Sequence, residues 1–175
     1  MINQKHKIAI FCAASIALVG CMSTSEQLGE DASSWDNYQS WYKANPEPNT
    51  GDPTGFLGGV HEGTRAYRDI YVNARAEPTN RGQSGFPYPA GSILVKETYS
   101  NEQDYQERQS ADLTIMVKLP AGTSPETSDW EYVMGADGSN RGSGTSGLAT
   151  FCHGCHTNAS DTDFNFINSR FNSNN

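Results

Sequence analysis

Ser92-Ile93-Leu94-Val95-Lys96-Glu97-Thr98-Tyr99-Ser100 is the stretch on which the fold turns. Successive side chains of a strand point to opposite faces. As a strand, it sets Ile93, Val95 and Tyr99 on one face and Leu94, Lys96 and Thr98 on the other. Residues 113–119 repeat the pattern, with Leu113, Ile115, Val117 and Leu119 in register. A further strand is expected over residues 67–73, where Ile70 and Val72 alternate with Asp69 and Tyr71, and a shorter one over 130–134.

Around these strands the pattern changes. Trp35, Tyr38, Trp41 and Tyr42 recur at helical spacing behind Ser34, a suitable N-cap, and Asn45-Pro46 closes the segment. A helix over residues 35–44 is therefore expected, its aromatic stripe serving as core. Residues 45–63 and 76–91 are rich in turn formers. Residues 135–147 hold many Gly, Ser and Asn and read as a mobile loop, followed by a short helix over 148–157. The tail, Asp161 to Asn175, ends in polar residues that are expected to fray. The class is mainly β (α+β), with an N-terminal helix and a short C-terminal helix. There is no internal repeat.

That last helix carries Cys152-His153-Gly154-Cys155-His156. Cys-x-x-Cys-His is the signature of c-type haem attachment. Two thiols one helical turn apart can each add to a haem vinyl group, and the adjacent His156 can give its imidazole to the iron. A redox Cys-x-x-Cys needs no neighbouring histidine and follows a βαβ pattern that is missing here. A zinc site needs two more ligands, with only His61 and His153 left as nitrogen donors. The reading is one haem c per chain, bound by Cys152, Cys155 and His156, with His156 on the metal. For the sixth iron position the candidates are Met116, Met134 and His61. The methionines lie in strands, where apolar filling is their ordinary use, and His61 lies in a glycine-rich loop. An open or water-bound site is preferred.

The N-terminus reads as an export signal. Lys5, His6 and Lys7 precede an apolar run from Ile8 to Val19, too short to span a bilayer as a helix. Leu18-Val19-Gly20-Cys21 then resembles a bacterial lipobox, with lipidation at Cys21. Residues 1–20 are expected to be a lipoprotein signal peptide, 21–34 a flexible tether, and 35–171 a single haem domain. Cleavage would leave 155 of the 175 residues and take the net charge from −8 to −10. So acidic a chain repels phosphate backbones, so nucleic acid is not expected as a partner. The membrane is reached through the lipid alone. Met22 in place of aspartate after the lipidated cysteine points to the outer membrane, facing the periplasm.

Several segments together resemble the cytochrome P-460 family and the related cytochrome c-prime-beta. They are Tyr67-Arg68-Asp69-Ile70-Tyr71-Val72-Asn73, Phe86 through Gly91-Ser92-Ile93-Leu94-Val95-Lys96-Glu97, residues 113–118, Asp129-Trp130-Glu131, the haem motif, and Asp161-Thr162-Asp163-Phe164. The resemblance implies a mostly antiparallel β fold and a five-coordinate c-type haem. It implies activity toward small nitrogen compounds, hydroxylamine oxidation or nitric oxide detoxification, with a redox partner protein and, by analogy, a homodimer. It also implies a lysine cross-linked to the porphyrin, at Lys96, and a haem-pocket arginine, at Arg68. Read from the residues alone, Lys96 is equally a surface lysine of an amphipathic strand, and Arg68 equally an ion-pair partner of an acid. One departure weighs against an enzyme. Family members can use a carboxylate from just before the haem motif to move protons, and residues 139–151 contain no Asp or Glu. Glu97 and Glu131 are the substitutes at hand. A non-enzymatic nitric oxide or carbon monoxide binder and an electron carrier with Met116 as sixth ligand are the rival readings.

Overall fold

The computed structural model describes residues 35–48 and 67–170. Six strands form one antiparallel sheet in simple sequential order: β1 (Tyr42–Lys43), β2 (Tyr67–Val72), β3 (Ile93–Tyr99), β4 (Asp112–Lys118), β5 (Trp130–Met134) and β6 (Asn140–Gly142). Three short helices accompany it: α1 (Glu77–Asn80), α2 (Glu102–Glu107) and α3 (Gly147–His156). Among the described residues no helix is long and apolar enough to cross a membrane. The fold is mainly β, as the alternation requires, and α3 is the late helix that carries both cysteines of the motif.

Both sheet faces are covered. Ile70, Val72, Leu94, Met116, Trp130 and Tyr132 form one cluster with Ala149 of α3, against which Cys152 and Phe164 pack. Trp35, Ile93, Val95, Leu113, Ile115, Val117 and Val133 form the cluster on the far face. The register explains the division: Leu94 opposes Val72 on one side and Met116 on the other, while Val95 opposes Tyr71 and Ile115.

Three segments differ from the sequence expectation. In place of a helix over 35–44 there is one 3-10 turn, Tyr38–Ser40, followed by β1. Tertiary bonds outcompete helix propensity here. Tyr38 donates to Glu97 at 2.6 Å, the Trp35 indole donates to the Ala136 carbonyl at 3.2 Å, and the Ala44 amide donates to the Ile70 carbonyl at 2.7 Å. Within residues 135–147, β6 pairs with β5. Its Gly142 is required for close approach, because a Cβ there would meet Ser146 Oγ at 2.1 Å. Ser146 caps α3, accepting from the Ala149 amide. The tail is anchored through Arg170: Asn165, Ile167 and Asn168 are buried, and Asn165 Nδ2 donates to the Tyr88 hydroxyl at 2.7 Å. Residues 171–175, the signal and tether with Cys21, and the loop with His61 lie outside the described residues.

On the far face, Asp69 and Glu97 sit directly opposite each other, both almost fully buried. Like charges so placed repel. Arg108 resolves the conflict by bonding Asp69 Oδ2 at 2.7 Å and Glu97 Oε2 as well, and Lys43 bonds Asp69 Oδ1 at 2.9 Å. Tyr38, Gln39 and Tyr99 donate to the remaining Glu97 positions.

Candidate haem site

Helix α3 places Cys152 and Cys155 one turn apart, both thiols free and partly exposed. Burial pushes the Cys152 thiol above its ordinary value, and the charge of Lys96 pulls it partly back. Cys152 packs against the Ile70, Leu94 and Met116 cluster. Lys96 is half-buried on β3, between Ile70 and Thr114 in the register, on the face that α3 covers. Arg68, 4 % exposed, lies on the same face opposite Thr98, diagonal to Lys96. Lys96, Arg68, Cys152, Cys155 and His156 therefore all belong to one side of the sheet.

His156 closes α3, and its Nδ1 lies 2.6 Å from the Phe164 carbonyl oxygen. A carbonyl only accepts, so the ring proton sits on Nδ1 and Nε2 keeps its lone pair. The ring lies near Phe166 and Tyr132, with centroids 5.3 and 5.5 Å away. This is the tautomer that a metal-binding imidazole needs, with the second nitrogen held by a backbone acceptor. The residues thus fit a c-type haem: two partly exposed thiols one turn apart and a histidine in the Nδ1-protonated tautomer.

One contact escaped the sequence reading, that of Tyr132 with His153. Tyr132 is buried, and its hydroxyl lies 2.9 Å from His153 Nδ1. Burial, then the Lys118 charge, holds His153 below the ordinary imidazole value. His153 in turn packs on Phe164 at 4.6 Å between centroids. The only signal for this pair was Tyr132 alternating with Trp130, which also describes plain core.

The sixth-ligand candidates separate. Met116 is packed among Val72, Leu94 and Tyr132, whereas Met134 stands 41 % exposed at the end of β5. The substitute carboxylates face away from α3. Glu97 belongs to the far-face knot, and Glu131 pairs with Arg141, whose Nε is 2.9 Å from Glu131 Oε1. On the α3 side, Asp163 is bound to Lys118 at 2.8 Å. Among the described residues no group of three or more His, Cys, Asp or Glu side chains is arranged to hold a bare metal ion.

No curated protein matches the sequence. The family model for Cytochrome P460 matches residues 35–167, most of the chain, from the 3-10 turn through the packed tail. The chain belongs to the cytochrome P460 family, and with that family comes haem binding.

Proposed function

We propose that the protein is a c-type cytochrome that holds one haem through Cys152 and Cys155, offers His156 Nε2 to the iron, and binds hydroxylamine or nitric oxide at the opposite iron position. The observation that carries this reading is the His156 Nδ1 bond to the Phe164 carbonyl, which puts the ring proton on Nδ1 and leaves the lone pair on Nε2, on the same helix as two thiols. Each thiol adds S–H across a vinyl C=C, so sulfur and hydrogen both stay and nothing leaves. Bound haem supplies one-electron redox chemistry and a coordination position for a small ligand.

The chain's own residues shape that position. Lys96 shares a face with α3, which supports a bond from its nitrogen to the porphyrin edge. That bond replaces one N–H and one C–H by N–C, so it needs a two-electron oxidant such as a peroxide, reduced to water. Arg68 supplies a buried cation on the same face, suited to orienting a polar nitrogen ligand. A second reading, binding of nitric oxide or carbon monoxide without turnover, is favoured by the orientation of Glu97 and Glu131 away from this face. The lipobox supports anchoring at Cys21 in the outer membrane, facing the periplasm, where a redox partner protein would exchange electrons. A Cys21→Ser variant should then appear in the soluble periplasmic fraction.

The visible spectrum and a haem-peptide digest separate the two readings. A red-shifted ferrous Soret band, with peptides of Lys96 and of Cys152–Cys155 joined through one porphyrin, supports the enzyme. Sharp α and β bands with an unmodified Lys96 peptide support the gas binder. Purified protein without covalent haem refutes both.

A further inference from the structure

We propose that the buried Lys118–Asp163 ion pair is a positioning device for His156: it holds the bend at Asp163 and Phe164 so that the Phe164 carbonyl grips the imidazole and sets its donor strength. The inference rests on the haem reading above and concerns how that site is tuned.

The pair joins the end of β4 to the segment after α3. Lys118 Nζ lies 2.8 and 2.9 Å from the two Asp163 carboxylate oxygens and 2.9 Å from the Ser128 carbonyl. The two side chains are 8 % and 6 % exposed. Asp163 is held at two further points: the Tyr88 amide donates to its Oδ2 at 2.8 Å, and the Trp130 indole donates to its backbone carbonyl at 2.9 Å. Trp130 and Tyr88 are among the most buried side chains, so these anchors are rigid.

The grip has a conformational purpose. Asp163 and Phe164 both adopt left-handed backbone angles, φ 51° and 65°. Asp tolerates such an angle better than most residues, but a bulky residue such as Phe164 keeps one only where its surroundings enforce it. Two in succession reverse the chain, and the Phe164 carbonyl then meets His156 Nδ1 at 2.6 Å. A hydrogen-bonded proximal imidazole is a stronger donor than a free one. The ion pair thus acts on the iron through the bend, the carbonyl and the ring, without touching the metal.

The test uses the haem-loaded full chain and two readouts, reduction potential and the ferrous iron–imidazole stretching band in resonance Raman. In Lys118→Met the bend should relax, the band should move to lower frequency, and the potential should rise. A tenfold weaker preference for ferric iron corresponds to ~59 mV for one electron. Lys118→Arg should restore most of both. Loss of the lysine charge alone would lower the potential instead, so a lowered potential with an unmoved band overturns the proposal. So does a folded, haem-loaded Lys118→Met protein with wild-type values of both. Should Lys118→Met fail to accumulate, Asp163→Asn decides through the band alone, which must shift downward. Wild-type protein lacking covalent haem would remove the haem reading and this inference with it. Haem-loaded variants with an unmoved band remove this inference only.

Discussion

The two faces of the sheet use charge in opposite ways. On the far face, Asp69 and Glu97 are buried as opposed like charges, and every oxygen is answered from within the protein by Arg108, Lys43, Tyr38, Gln39 or Tyr99. The cations Lys96 and Arg68 lie on the other face, the one on which α3 packs. Strand alternation places charges at similar depth on both sides. One set is closed on itself and stabilises the fold, and the other surrounds the residues suited to a cofactor. Pairing occurs on both sides, since Lys118 and Asp163 are bonded on the α3 side; what separates architecture from site is whether the charges share a face with the motif.

The largest expected effect belongs to the α3 face. Replacing Cys152 and Cys155 together by Ala should abolish haem that survives denaturing electrophoresis, while circular dichroism of the sheet is kept. Haem that still migrates with the double variant would mean a second covalent link, and Lys96 would be its place. Next comes Lys96→Ala. Its red-shifted band should vanish and hydroxylamine oxidation should fall, while nitric oxide binding persists. An unchanged spectrum would leave the gas-binding reading in front.

How far the sequence reached follows the same division. β5 was legible to the residue and β3 and β4 to within one, because apolar residues at every second position admit no other period. The cysteine motif was legible because its spacing is itself chemistry. The 35–44 segment was misjudged because aromatics at helical spacing also suit a turn and an edge strand, and the deciding partners, Glu97 and Ala136, are distant in sequence. β6 was hidden because Asn140, Arg141 and Gly142 have little strand propensity and pair only where Glu131 and Gly142 fit their neighbours. Glu97 looked available to the haem because alternation gives relative faces only, and nothing local says which face α3 will cover. The Asp163–Phe164 bend had only a faint signal, since Asp is enriched at positive φ but Phe is not.

A third prediction tests whether the far-face knot is architecture. Arg108→Met leaves two buried carboxylates without their shared cation. Breaking a buried pair costs roughly 3–5 kcal/mol, and the Arg108 side chain is 36 % exposed, so the low end, about 3 kcal/mol, is expected. Denaturant unfolding measures it. The haem spectrum of the folded fraction should stay that of the wild type. A spectral change as large as that of Lys96→Ala would mean that the faces are coupled and the division drawn above is wrong.

The smallest effect is a shift in alkaline titration, and it distinguishes the faces by cause. Tyr38 and Tyr99 are raised above the ordinary phenol value by burial first and then by the Glu97 carboxylate they donate to. Tyr88, on the α3 side, is pushed up to about 12 by burial, against the lowering effect of Asn165 and Asn80. Above about pH 10 the unfolded chain loses these phenol protons and the folded chain keeps them. The stability they contribute is therefore complete below that pH and is lost as pH rises toward the folded values. Glu97→Gln keeps a hydrogen-bond acceptor and removes the charge, so Tyr38 and Tyr99 should ionise earlier while Tyr88 stays where it is. An ultraviolet tyrosinate titration should show two phenols moved to lower pH, and the alkaline fall in the denaturation midpoint should become shallower. A variant that titrates like the wild type would mean that burial alone raises these phenols, and that Glu97 acts on them only as an acceptor whose charge Arg108 has already neutralised.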